Sequence, residues 1–168
     1  MLFIKKRTYN ILINQWVYSG NPIKEEDFHN KVSFVYLITN LKNDKKYFGK
    51  KKLHFFKRKK VKNRKNKKII RSDSDWRDYW GSSEELLNDV EVLGKENFKR
   101  EILIFCDTLA QASYYEAKYQ LEHDVLLHPD KFYNHWVSVR VRRNHLIKKC
   151  NNKEAGVLKM GTRGSDVE

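Results

Sequence analysis

The most clearly patterned stretch of the chain runs from Val32 to Thr39. Val32, Phe34, Tyr36 and Ile38 fall on one side of an extended chain, and Ser33, Val35, Leu37 and Thr39 on the other. The run is β-branched and aromatic, which predicts a strand. The polar stretch Asn40 to Asp44 supplies turn chemistry, and Lys45 to Gly49 reads as the hairpin partner. Gly49 permits a conformation or close approach that a Cβ would block. Ser82-Ser83-Glu84-Glu85 fits a capping box with Ser82 as the cap, so a helix follows. Leu86, Val90 and Leu93 recur in it at helical spacing, and Gly94 ends it. Strand character returns from Phe98 to Cys106, where Phe98, Ile102 and Ile104 alternate against Lys99, Glu101 and Leu103. A second box, Thr108 to Gln111, opens a longer helix to about Leu126. One stripe of that helix holds Leu109, Ala112, Glu116 and Tyr119. An unpaired carboxylate among apolar neighbours is costly, so Glu116 is either a partly exposed neighbour of the core or a ligand.

The order strand, strand, helix, strand, helix predicts an α/β domain of the α+β kind, with a small central antiparallel or mixed sheet flanked by helices. Residues 1–30, with an apolar run at Ile11 to Ile13 and Trp16 to Tyr18 before the turn-like Ser19-Gly20-Asn21-Pro22, read as an N-terminal arm or hairpin. The domain then spans 31–150 and carries a basic insertion at 50–71 whose structure the pattern leaves open. From Asn151 onward small and charged residues dominate, which predicts a disordered tail over 151–168.

Charge changes this picture by its location. The 168 residues carry a net charge of +14, yet between Lys45 and Arg71 there are fifteen Lys or Arg and no Asp or Glu. A concentrated cationic strip releases condensed counterions from a polyanion, giving strong, salt-sensitive affinity for nucleic acid. Lys50, Lys52, Lys57, Lys59, Lys60, Arg64 and Arg71 are the candidate phosphate contacts. Anionic membrane is the competing partner, but the segment lacks a periodic apolar face, and no apolar run in the chain approaches the ~20 residues that span a bilayer. The expected setting is a cytoplasm. Arg140, Arg142, Arg143, Lys148 and Lys149 form a second basic cluster. Cys106 and Cys150 suggest neither a disulfide framework nor a paired-cysteine metal knuckle.

Phe34-Val35-Tyr36 followed by Tyr47-Phe48-Gly49 resembles the paired motifs of GIY-YIG nucleases, with two tyrosines eleven residues apart on adjacent strands. Tyr79-Trp80-Gly81-Ser82-Ser83, then Leu93 to Phe98, then Glu116 in a helix, then Tyr133-Asn134, are similar in order and spacing to phage-borne homing-type members. The resemblance runs from about Val32 to Asn134. It implies Mg²⁺-dependent endonuclease activity on DNA, in the host cytoplasm for a phage-borne protein. In the family the first tyrosine, here Tyr36, serves in proton transfer with the attacking water. A free tyrosine has a pKa of about 10, so that role needs nearby positive charge or metal, and the basic strip is placed to supply the charge. By the same resemblance Tyr47 positions water or phosphate, Glu116 holds one Mg²⁺, and Asn134 supports the site by hydrogen bonding. The chain departs from the family at Phe34-Val35, where Gly-Ile is usual, and at the essential arginine. Lys57 and Arg58 stand about where that arginine is expected, Lys51 follows the glycine closely, and Arg77 is a third candidate, so the catalytic cation is Lys51, Arg58 or Arg77.

Rival readings rest on the same residues. A non-catalytic binder would clamp phosphates with the basic strip and stack its aromatics on bases. A restriction or repair nuclease would share the catalytic type. Asn134-His135 and Asn144-His145 bring no second histidine at ligand spacing on a recognisable helix, which disfavours a His-Asn-His metal nuclease. Glu122 is the decoy carboxylate beside Glu116, whose ordinary ion-pair partner would be Lys118 or Lys99. Nothing in the sequence fixes a recognition site or an oligomeric state.

Overall fold

The structure, a computed structural model, describes residues 15–60 and 67–146. Arg64 and the tail at 151–168 lie outside the described residues. A five-stranded sheet in the order β2-β1-β7-β3-β4 is built from β1 (Trp16–Tyr18), β2 (Asn21–Pro22), β3 (Ser33–Asn40), β4 (Lys46–Lys52) and β7 (Phe98–Cys106). β3 pairs antiparallel with both β4 and β7, while β1 lies parallel to β7, so the sheet is mixed as the element order predicts. The helices are α1 (Glu84–Leu93), α2 (Leu109–Glu122) and the short α3 (Arg143–Leu146).

β3 is covered on both faces, which is why its sequence is apolar at successive positions rather than at every second one. Phe34, Tyr36 and Ile38 pack with Trp16, Trp76, Trp80 and the α1 residues Leu86 and Val90. On the opposite face Val35 meets Ala112 of α2, and Leu37 and Phe48 pack with Val125 and Phe132. The segment read as an N-terminal arm contributes the edge hairpin β1-β2 to this sheet, and Trp16, 2 % exposed, enters the main core.

The first helix starts one residue later than the capping pattern predicts. Ser83 is its cap, its hydroxyl accepting from the amide of Leu86 at 3.4 Å. Ser82 is thereby freed to bond the Tyr47 hydroxyl, and Glu85 pairs with Lys45 instead of reaching back. α1 ends at Gly94, whose φ of +87° suits a residue without a Cβ. Thr108 caps α2 as expected, with its hydroxyl accepting from Gln111 at 3.1 Å. That helix stops at Glu122, short of Leu126, and Leu109 on its stripe is exposed while Ala112 is buried.

The basic insertion is a two-stranded antiparallel ribbon, β5 (His54–Lys59) and β6 (Lys68–Asp73). Its root is pinned by buried Leu53, whose amide donates to Val32 and whose carbonyl accepts from Ser74. His54 at the root takes a hydrogen bond from Arg71 and gives one to Asp73 at 3.0 Å. Every other side chain of the ribbon is exposed.

Candidate active site at the edge of the sheet

β4 is the outer strand of the sheet, and the chain returns to close its edge. The amide of Lys46 donates to the Lys131 carbonyl, and that of Tyr133 donates to the Lys46 carbonyl, both at 2.8 Å. Asn134 completes the edge by using both ends of its amide on one residue. Its Oδ1 accepts from the Phe48 amide at 3.0 Å, and its Nδ2 donates to the Phe48 carbonyl at 2.8 Å. These two bonds fix the backbone between Tyr47 and Gly49.

Beside that edge lies a cleft of about 580 Å³. Tyr36, Tyr47, Lys50, Tyr79, Glu116 and Asn134 all line it. Tyr36 reaches it from β3 because its partner across the ladder is Gly49. A Cβ on Gly49 would stand 2.5 Å from Cζ of Tyr36, so this glycine is required for a close approach. Arg100, buried in β7, donates at 3.0 Å to the carbonyls of Arg77 and Tyr79, which ties the loop carrying Tyr79 to the sheet.

Burial dominates the electrostatics of the site. Burial pushes the Tyr36 hydroxyl well above the ordinary tyrosine range, and Tyr47, Tyr79 with its hydrogen bond, and Glu116 push it the same way. Among the described residues of the strip, Lys51 is engaged by the Tyr79 ring and Asp75. Tyr47 is also raised by burial, against a hydrogen bond of 3.0 Å with the Ser82 hydroxyl. Glu116, with a side chain 15 % exposed, is raised by burial more than Lys50 lowers it. The partner of Glu116 is thus Lys50, neither Lys118, which pairs with Glu122, nor Lys99, which pairs with Glu101.

The three candidate catalytic cations part company. Arg58 sits out on the ribbon, exposed. Arg77 stacks on Trp76 in a separate hollow with Gln15 and Arg100. Lys51 lies just behind the cleft wall, its ammonium 3.4 Å from the centre of the Tyr79 ring and 2.8 Å from Asp75. The lysine that lines the cleft is Lys50, which the sequence suggests only as a phosphate contact. Lys52, Lys57, Lys59, Lys60 and Arg71 lie on or beside the ribbon, outside that cleft. Ser82, Gln120, His135 and Trp136 also line it, though their residue types alone do not mark them as site residues. Tyr79 and Ser82 belong to a segment that carries the resemblance, and that is the signal by which the sequence points to them.

Among the described residues no group of three or more His, Cys, Asp or Glu converges to form a metal cage. One half-buried carboxylate facing an open cleft, with hydroxyl and amide oxygens around it, still suits a hard cation that keeps most of its waters. Over residues 16–137, well over half of the chain, the sequence matches the family described as "Putative endonuclease segE, GIY-YIG domain". Neither the curated proteins nor the solved structures hold a significant match. No helix among the described residues is long and apolar enough to cross a membrane.

Proposed function

Since the chain belongs to the GIY-YIG endonucleases, enzymes that hydrolyse phosphodiester bonds, we propose that it is a Mg²⁺-dependent DNA endonuclease, of the phage-borne homing type, working in the Tyr36–Tyr47–Glu116 cleft. The observation that carries this reading is the convergence of two raised phenols, one raised carboxylate and one ammonium around a single hollow. Clustered perturbed groups in a cleft mark functional sites.

Each side chain takes the role its environment allows. Tyr36 keeps its proton, so it works as a neutral phenol. It holds the attacking water by hydrogen bonding and passes a proton only in concert with another group. Tyr47, oriented by Ser82, positions a phosphate oxygen. Glu116 would hold the single Mg²⁺, with waters and the scissile phosphate filling the remaining positions. When bound, that ion supplies positive charge for the phosphorane and the leaving oxygen. Lys50 leaves Glu116 for the phosphate, to which it offers a point charge where the family's arginine offers a fork. Lys51 holds Tyr79 in place, and Asn134 holds the strand. Exposed Lys57, Arg58, Lys59 and Arg71 on the ribbon track the DNA backbone away from the cut.

Supercoiled plasmid tests this directly. With Mg²⁺ the protein converts it to nicked or linear forms, and a chelator stops the conversion. Salt-sensitive binding with no cleavage under any divalent ion identifies the non-catalytic binder instead.

A further inference from the structure

The four tryptophans of the chain divide sharply. Trp16, Trp76 and Trp80 are 2 %, 2 % and 7 % exposed, whereas Trp136 is 75 % exposed. Trp136 also lines the cleft that holds Tyr36, Tyr47 and Glu116. Its position is set on both sides. Asn134, two residues before, is doubly hydrogen-bonded to Phe48, and Val137, the next residue, packs against the Phe48 cluster. The indole therefore stands at the lip of the cleft on a fixed stem, with most of its rings in water. Arg140, Arg142 and Arg143 follow within seven residues.

We propose that Trp136 stacks on a nucleobase next to the scissile phosphodiester and so positions the DNA for cutting, an inference that rests on the nuclease reading of the cleft. A phosphate seated between Lys50 and Tyr47 brings its flanking base to the cleft mouth, where the exposed Trp136 ring meets it. Every base has a π-face, so such a contact strengthens binding without choosing a sequence. In a duplex the ring acts as a wedge, and part of the stacking gained offsets the opening of one base step.

The burial of the other three tryptophans makes Trp136 its own reporter. In buffer with a chelator, where no cutting occurs, a duplex DNA fragment is titrated while emission is read with tryptophan-selective excitation. A dye on the DNA reports binding separately. Binding should quench the emission of the parent protein and leave that of Trp136→Phe unchanged. Polyphosphate, a polyanion without bases, should bind without quenching. Trp136→Ala should weaken binding roughly 5- to 150-fold, the range for removal of one base–aromatic stack, while Trp136→Phe stays within about threefold of the parent. DNA binding without quenching, equal quenching by polyphosphate, or parent-like affinity in Trp136→Ala overturns the proposal. None of these outcomes bears on plasmid nicking by the parent, so the nuclease reading stands or falls apart from it.

Discussion

Tyr36 of β3 and Gly49 of β4 face each other across the sheet ladder, and the tyrosine ring lies over the glycine where a side chain would be. The atoms a Cβ would meet belong to a rigid ring inside the core, 1 % exposed, which cannot swing away as the end of a lysine would. Gly49→Ala should therefore push Tyr36 out of register with Tyr47 and Glu116. Overpacking of this kind costs about 1–3 kcal/mol. The expected result is a lower urea midpoint together with loss of plasmid nicking. Parent-like values of both would mean that the close approach is unimportant.

Asn134 replaces a missing strand partner for Phe48, and it is 7 % exposed. In Asn134→Ala the Phe48 amide loses its partner, and its carbonyl keeps only a 3.4 Å hydrogen bond from Gln120. Leaving such buried groups unmet costs about 2–4 kcal/mol in all. Denaturant unfolding should show that loss, and DNA affinity of the folded variant should change little. A variant of unchanged stability would remove Asn134 from this edge role.

The half-buried carboxylate of Glu116 gives a stability prediction with a definite sign. Its folded-state pKa lies above the unfolded value of about 4.3. The folded chain thus holds this proton to a higher pH than the unfolded one does. Through this group, stability is fully present below the unfolded value and is lost as the pH rises through the folded value. Glu116→Gln removes the charge that burial penalises. The variant should equal or exceed the parent in urea midpoint near neutral pH, with the difference shrinking as the pH approaches about 4. A variant less stable at neutral pH, or a difference that does not vary with pH, contradicts the assignment.

Much of the architecture is legible in the sequence because its local patterns coincide with burial. The two-faced run at 32–39 and the Asn40 to Asp44 turn give the central hairpin, and the capping serines and threonine give the helices to within a residue at their starts. The tyrosine pair, Glu116 and Asn134 follow from the order of the motifs, and they share one cleft. What stays hidden depends on register and on long-range packing. Nothing local tells that β1 pairs in parallel with β7 across some eighty residues, or that a lysine-rich insertion forms a ribbon. Choosing between Lys50 and Lys51 is a question of which side of β4 each occupies. Adjacent residues on a strand point to opposite faces, so one reaches Glu116 and the other Tyr79.

The ribbon should act through charge alone. Its Lys57 and Arg58 are exposed and lie outside the cleft. Replacing both by Ala should lower the slope of log affinity against log salt by about one for each phosphate that is no longer neutralised. Nicking at saturating DNA should be unchanged. An unaltered salt slope would show that the ribbon does not touch the backbone, and a fall in saturated nicking would place it in the chemistry.

The central claim is that hydrolysis depends on Glu116 and binding does not. Parent and Glu116→Gln proteins, shown to bind a DNA fragment equally, are incubated with supercoiled plasmid and Mg²⁺, and nicked product is followed with time. Nicking by the parent and none by the variant is the predicted result. Equal nicking by both, at equal occupancy, would contradict the placement of the reaction in this cleft.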